Sequence, residues 1–226
     1  MTKLYLFDIE GTTTDIQFVH KVLFPYSAEH MEGYIHDHQN HPVVQKAILD
    51  TKKTVLDENG KNIDLDGVIL TLKDWIESDR KHPALKEVQG LIWDNGYSRG
   101  DFQGHVYPDV KPFFEKILTK ARVGIYSSGS VHAQKLIFGF SEAGDLTPMI
   151  SYYFDTKVGG KRDQSSYEKI AQETEIATED IHFFSDIPEE ITAAIAAGME
   201  ATQVVRPGTK KFFEKFVPDF NHVKIT

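Results

Sequence analysis

Two periodicities divide the chain. Short apolar runs that end in small or acidic residues recur at Tyr5 to Asp8, Val123 to Ser127, Tyr152 to Asp155, Ile181 to Asp186 and Gln203 to Val205. Stretches of helical period lie between them. One follows Pro108 through Phe113, Phe114, Ile117 and Leu118; others cover Ser130 to Phe138, Ser165 to Thr174 and Pro188 to Gly198. Strands and helices alternating at this length predict βαβ units and a parallel sheet. The expected class is therefore α/β, a doubly wound parallel sheet that gathers its strand ends along one edge, where such folds bind ligands.

The stretch from Phe18 to Gly104 departs from this pattern. Leu65, Val68, Ile69, Leu72, Trp75 and Ile76 recur at helical spacing, Leu85, Val88 and Ile92 begin another helix, and no strand is evident. The expectation is a core built from residues 1–17 and 105–226, with residues 18–104 inserted as a helical cap. An insertion placed immediately after the first strand can close over the strand ends and exclude water.

Composition narrows the classes of function. At 226 residues and 40 % hydrophobic, the chain can bury a sizeable core. With no cysteine, it has no disulfide, thiolate metal site or cysteine nucleophile. No apolar window is long enough for a spanning helix, and the short N-terminal run reads as a core strand rather than a signal peptide. A cytoplasmic, monomeric protein is the expectation. The formal net charge of −9 argues against nucleic acid as a partner and requires any phosphorylated ligand to be held by local cations or amides.

Four segments carry candidate chemistry. In Asp8-Ile9-Glu10-Gly11-Thr12-Thr13 an apolar strand stops on two carboxylates. Asp8 is an available nucleophile at neutral pH. Glu10 faces the same side if the extended backbone persists, where it could pass a proton to a leaving oxygen and take one from water. In Val123 to Ser130 a strand runs into Ser127, Ser128 and Gly129 ahead of a helix, an arrangement that cradles phosphate or simply caps the helix. Gly159-Gly160-Lys161 lets a lysine reach a bound phosphate, with Lys157 as its rival. In Ile181 to Glu190 another strand ends on Asp186, with Glu190 a helical turn later. Asp8 and Asp186 facing one pocket would repel unless a hard cation lay between them. Mg²⁺ suits oxygen ligands and bridges to phosphate, and Glu190 can orient its waters.

Taken together and in this order, these segments resemble the haloacid dehalogenase-like superfamily of Mg²⁺-dependent phosphatases. The match runs through Asp8-x-Glu10-Gly-Thr, Ser127, Lys161, and Asp186 with Glu190. Glu10 stands where the superfamily usually carries aspartate. That departure is similar to one branch, the enolase-phosphatases of methionine salvage. Phe24-Pro25-Tyr26, Gly90 to Trp93 with Gly96-Tyr97, Gly104 to Asp109, Ser127 to Ser130 with Ala133 to Leu136, and Val205 to Gly208 extend the resemblance over nearly the whole chain.

The resemblance implies one Mg²⁺ per chain, held by Asp8, the main-chain carbonyl of Glu10 and Asp186. It makes Asp8 the phosphoryl acceptor, Glu10 its acid–base partner, and Ser127, Ser128 and Lys161 the phosphate-binding groups. The implied substrate is a small phosphorylated diketone, 2,3-diketo-5-methylthiopentyl phosphate, enolised first and dephosphorylated second. Glu10 is the first candidate for removing the carbon-bound proton. Two alternatives remain open: a phosphatase of the same superfamily without enolisation, and a non-catalytic module that binds phosphorylated ligands.

Other signals weigh less. His36 to His41 reads as a solvated loop of the insertion rather than a zinc site. Lys210 to Phe216 mixes cations with aromatics, as nucleic-acid surfaces do, but its spacing predicts a terminal amphipathic helix. Trp93, Tyr97 and His105 are candidates for contact with the methylthio end of the substrate, or for hinge packing.

Overall fold

A computed structural model describes residues 2–225. The chain folds as two units, an α/β unit of residues 1–16 and 103–226 and a helical unit of residues 17–102.

The α/β unit is built on a six-stranded sheet of order β3-β2-β1-β4-β5-β6, every neighbouring pair parallel. The strands are β1 (Leu4–Phe7), β2 (Arg122–Tyr126), β3 (Tyr152–Phe154), β4 (Ile181–Ser185), β5 (Glu200–Val204) and β6 (Phe216–Val217). From β1 the chain steps outward through β2 and β3, then returns with β4 to the other side of β1. That reversal between β1 and β4 is the switch point at which open α/β sheets form a ligand crevice.

β1 is buried at every residue, as expected of a central parallel strand covered on both faces. Its side chains alternate. Leu4 and Leu6 join one cluster with Tyr167, Ile170, Ile181, Phe183, Ile191 and Ala194, which includes residues of α8 (Gln164–Thr174) and α9 (Pro188–Ala196). Tyr5 and Phe7 pack with aromatic rings. Phe7 stacks on Phe184 at 5.2 Å between centroids and meets Phe220 edge-on at 5.3 Å. It also packs against Phe113 and Phe114 of α6 (Val110–Ile117). Phe138 of α7 (Val131–Gly139) lies against Phe114 in turn.

The segment Lys210 to Phe216 is not the amphipathic helix its spacing predicts. Gln203 of β5 is fully buried, and its Oε1 accepts the Phe212 and Phe213 N–H groups at 2.9 and 3.2 Å. Its Nε2 donates to the Lys210 carbonyl at 2.9 Å. Backbone groups that a helix would pair internally are thus tied to a neighbouring strand, and Phe216 falls into register beside Gln203. β5 also begins at Glu200, earlier than the apolar run from Gln203 suggests.

The helical unit starts within α1 (Ile16–Phe18), passes through a π-helical turn at Val19–Leu23, and continues as α2 (Phe24–His38), α3 (Pro42–Asn59), α4 (Leu65–Glu77) and α5 (Pro83–Arg99). A π-turn leaves a carbonyl out of the α-helical ladder. The Trp93 indole N–H donates to the Leu23 carbonyl at 2.8 Å. The core joins Met31, Ile35, Val44, Val68, Leu72, Trp75, Leu85, Val88 and Ile92. Trp75 packs against His82 at 4.3 Å, with the Arg80 guanidinium 4.5 Å from its ring centre. His36 and His38, expected in a loop, belong to the last turn of α2, and His41 is the N-cap of α3. Their helical setting follows from the apolar spacing of Met31 and Ile35, which carries α2 past them.

Candidate active site

The carboxyl ends of β1 and β4 converge because the two strands are adjacent and in register, Phe7 opposite Phe184. Asp8 follows β1 directly and its N–H continues the ladder to the Phe184 carbonyl at 2.9 Å. The chain then turns. The Ile9 carbonyl accepts N–H groups from Thr12, Thr13 and Thr14 at 3.2, 2.9 and 2.9 Å. The regular strand therefore ends at Phe7, and strand alternation does not by itself place the Glu10 side chain. Glu10 instead forms an isolated bridge with Thr14 and is half-buried.

Gly11 makes this turn possible. Its φ of +73° lies in the left-handed region. A Cβ there would also overlap the Asp186 carboxylate. The two carboxylate-bearing loops are thus separated by no more than a glycine.

Lys161 extends from the loop between β3 and α8. Its side chain is almost fully buried, its Nζ paired with Asp8 Oδ1 and lying 2.7 Å from Glu190 Oε2. The Tyr167 hydroxyl donates to the Lys161 carbonyl at 2.7 Å, and the Tyr126 hydroxyl to the Gly159 carbonyl at 3.0 Å. Gly159, at φ +145°, has no room for a Cβ beside Ser166. Lys157, the rival, is exposed. Burial works against the Lys161 ammonium, yet the charges of Asp8 and Glu190 prevail and hold its pKa above the ordinary lysine range.

Ser127 is buried at the end of β2, its Oγ accepting the Gly129 N–H at 3.1 Å. Ser128 is half-buried, and Ser130 is the N-cap of α7, accepting the Ala133 N–H at 3.2 Å. This turn holds its own amides in place beside the strand end. Glu190 accepts the Ser185 hydroxyl at 2.8 Å.

Three buried or half-buried acids, Asp8, Asp186 and Glu190, thus share a single lysine ammonium. The imbalance appears in the titration of Asp186 and Glu190. Burial, then the charges of Asp8 and Glu190, push Asp186 up to about 7. Burial and Asp8 likewise raise Glu190 above its ordinary value. Asp186 Oδ1 is buried without a hydrogen-bond partner. A surplus of oxygen-borne negative charge with an unpaired buried oxygen is the donor chemistry that a hard divalent cation satisfies, so these residues fit Mg²⁺.

Sequence reasoning singled out each of these groups but missed their bracing. Arg206 and Asp109 are both buried and paired at 2.9 Å. Arg206 Nε and Nη2 donate to the Thr12 carbonyl at 3.1 and 2.9 Å. The Thr12 hydroxyl accepts the Asp186 N–H at 3.0 Å, and Gln203 Nε2 donates to the Asp186 carbonyl at 3.1 Å. The signal available was a lone arginine just past an apolar strand, with nothing local to name its partners.

A model of the haloacid dehalogenase-like hydrolases matches residues 2–198. Over 210 residues the chain is 48 % identical to the enolase-phosphatase E1 of Picosynechococcus sp. (strain ATCC 27264 / PCC 7002 / PR-6), covering 92 % of each protein. It is 45 % identical to the enolase-phosphatase E1 of Sulfurihydrogenibium sp. (strain YO3AOP1), covering 100 % of this chain and 99 % of the relative. Among solved structures, the UTR4 protein of Saccharomyces cerevisiae superposes with a TM-score of 0.81 at 30 % identity, covering 99 % of this chain and all of that one. The 2-haloacid dehalogenase of Pseudomonas syringae pv. Tomato DC3000 superposes with a TM-score of 0.58 at 17 % identity, over 97 % and 95 % of the two chains, a likeness of fold alone.

Proposed function

The chain belongs to the haloacid dehalogenase-like hydrolases, and on that premise we propose that it is an enolase-phosphatase of methionine salvage. It converts 2,3-diketo-5-methylthiopentyl-1-phosphate to the dihydroxy acireductone and inorganic phosphate. The observation that carries the site assignment is the junction of Asp8, Lys161 and Asp186 at the switch point between β1 and β4.

Mg²⁺, one per chain, would be held by Asp8, Asp186 and the Glu10 main-chain carbonyl, and when bound it polarises a substrate carbonyl and offsets phosphoryl charge. Lys161 would neutralise the same phosphoryl charge, its ammonium already fixed by two carboxylates. The Ser127–Ser130 turn offers hydroxyls and amides to the phosphate oxygens.

Enolisation removes a proton from carbon next to a carbonyl, and Glu10 is our candidate base. In the second stage an Asp8 oxygen forms a bond to phosphorus as the bond to the enol oxygen breaks. Glu10 supplies the proton that oxygen takes up. Water, giving its proton back to Glu10, then attacks phosphorus, frees phosphate and restores the Asp8 carboxylate. The helical insertion is assigned the role of a water-excluding cap.

The test is incubation of the protein and Mg²⁺ with the diketo phosphate, following ultraviolet absorbance of the enediol alongside phosphate release. Both signals are expected. Phosphate without any enediol would reduce the enzyme to a plain phosphatase, and neither signal would overturn the proposal.

A further inference from the structure

We propose that Arg206 is a positioning residue for the cation site, acting on Asp186 through Thr12. The inference rests on the reading that Asp186 and the turn after Asp8 hold Mg²⁺.

Arg206 lies just past β5, far in sequence from the loop that follows Asp8. Its guanidinium nevertheless ends on the loop after the nucleophile. Two of its N–H groups converge on one carbonyl, that of Thr12, and a third goes to Asp109 Oδ1. Asp109 is fixed in turn, its Oδ2 accepting the Phe220 N–H at 2.7 Å. The guanidinium plane has little freedom, since its carbon sits 4.0 Å from the Tyr107 ring centre and 5.1 Å from that of Phe220. A fork held on every side imposes its geometry on what it binds.

Thr12 divides its two oxygens. The carbonyl goes to Arg206, and the hydroxyl accepts the Asp186 N–H. A shift of Thr12 therefore shifts the backbone of Asp186 directly. It also shifts Gly11, the residue whose missing side chain leaves room for the Asp186 carboxylate. A buried ion pair is poor evidence of stabilisation, because an apolar replacement often does as well. A fixed orientation of ligands is something an apolar replacement does not supply.

The experiment compares wild type with Arg206→Lys, Arg206→Met, Thr12→Val and the double variant Arg206→Lys/Thr12→Val. Mg²⁺ binding is measured by titration calorimetry, and folding by circular dichroism and melting of the metal-free proteins. Lysine keeps the charge but loses the fork. The expected result is a folded Arg206→Lys protein whose Mg²⁺ dissociation constant rises about tenfold or more. Thr12→Val should show a similar loss, and the double variant should be no weaker than the worse single variant, since both changes cut one path.

A purely structural role predicts otherwise: lower melting temperatures with Mg²⁺ affinity within about twofold of wild type. That outcome, or additive losses in the double variant, would overturn the proposal. If Arg206→Met does not fold, Arg206→Lys and Thr12→Val still decide. Wild type that takes up no Mg²⁺ overturns the underlying reading as well; wild-type uptake with unmoved variants overturns this one alone.

Discussion

The two units bury polar groups in opposite ways. In the α/β unit Asp8, Asp109, Asp155, Lys161, Glu190 and Arg206 are all buried. Among the described residues of the helical unit, the buried polar side chains are Ser27, Thr51 and Gln89, and none is charged. Those three find partners within the unit: Thr51 donates to the Ala47 carbonyl, and Gln89 donates to Ser27, whose hydroxyl donates to the Phe24 carbonyl. Burying a charge is costly unless it is paired, and three acids around one lysine are not fully paired. The α/β unit carries that imbalance at one sheet edge, while the buried core of the helical unit holds no charged side chain among its described residues.

The largest expected effect breaks the comparison at its centre. Asp8→Asn should abolish phosphate release, by about 10⁴-fold or more, with the circular dichroism spectrum unchanged. Turnover near the wild-type rate would refute covalent transfer through Asp8. Next, Lys161→Ala should slow phosphate release by about 10²- to 10³-fold, a loss like that of a preorganised electrostatic donor. Lys157→Ala, on an exposed side chain of the same loop, should leave the rate nearly unchanged; the reverse ranking would reassign the lysine.

A third change tests the other half. Leu72→Ala, at a fully buried position of the helical core, should cost about 2–4 kcal/mol of stability in denaturant unfolding. Hydrolysis of a small aryl phosphate, measured well below the melting temperature, should stay within a few-fold of wild type.

The mildest test uses pH. Asp186 is pushed up to about 7, so below that value a proton competes with Mg²⁺ for the carboxylate. Mg²⁺ half-saturation should rise up to about tenfold for each unit of pH lost below 7 and level off above it. The sign for stability is opposite to that of an ordinary paired carboxylate. A carboxyl whose folded pKa exceeds its unfolded value binds more protons when folded, so it stabilises most at low pH. In the metal-free protein that contribution should fall as pH rises from about 4 through 7, and Mg²⁺ should restore it. Melting curves with and without Mg²⁺ check both statements.

Local features were the legible ones. The β1 run, the stop at Asp8 and the hydroxyl-rich turn after β2 each depend on residues close in sequence, so period and turn chemistry reveal them. The parallel sheet follows from the alternation of such units. What was hidden depends on pairing across distance. Arg206 meets a carbonyl 194 residues away, and Asp109 meets an amide 111 residues away. The helical spacing of Lys210 to Phe216 misled because one buried glutamine on β5 claims the backbone groups a helix needs. The turn after Asp8, where three N–H groups meet the Ile9 carbonyl, likewise lies beyond what strand alternation can read.

Trp75 and Trp93 account for both tryptophans of the chain, and both lie in the helical unit. Indole fluorescence, excited at the red edge where tyrosine is silent, is therefore a built-in optical label for one unit. The Trp93 indole N–H is bonded to the carbonyl at the end of the π-helical turn, so its emission colour registers whether that turn is intact. Backbone circular dichroism, which sees both units, and emission colour, which sees one, would coincide on heating if the two melt together and separate if they do not.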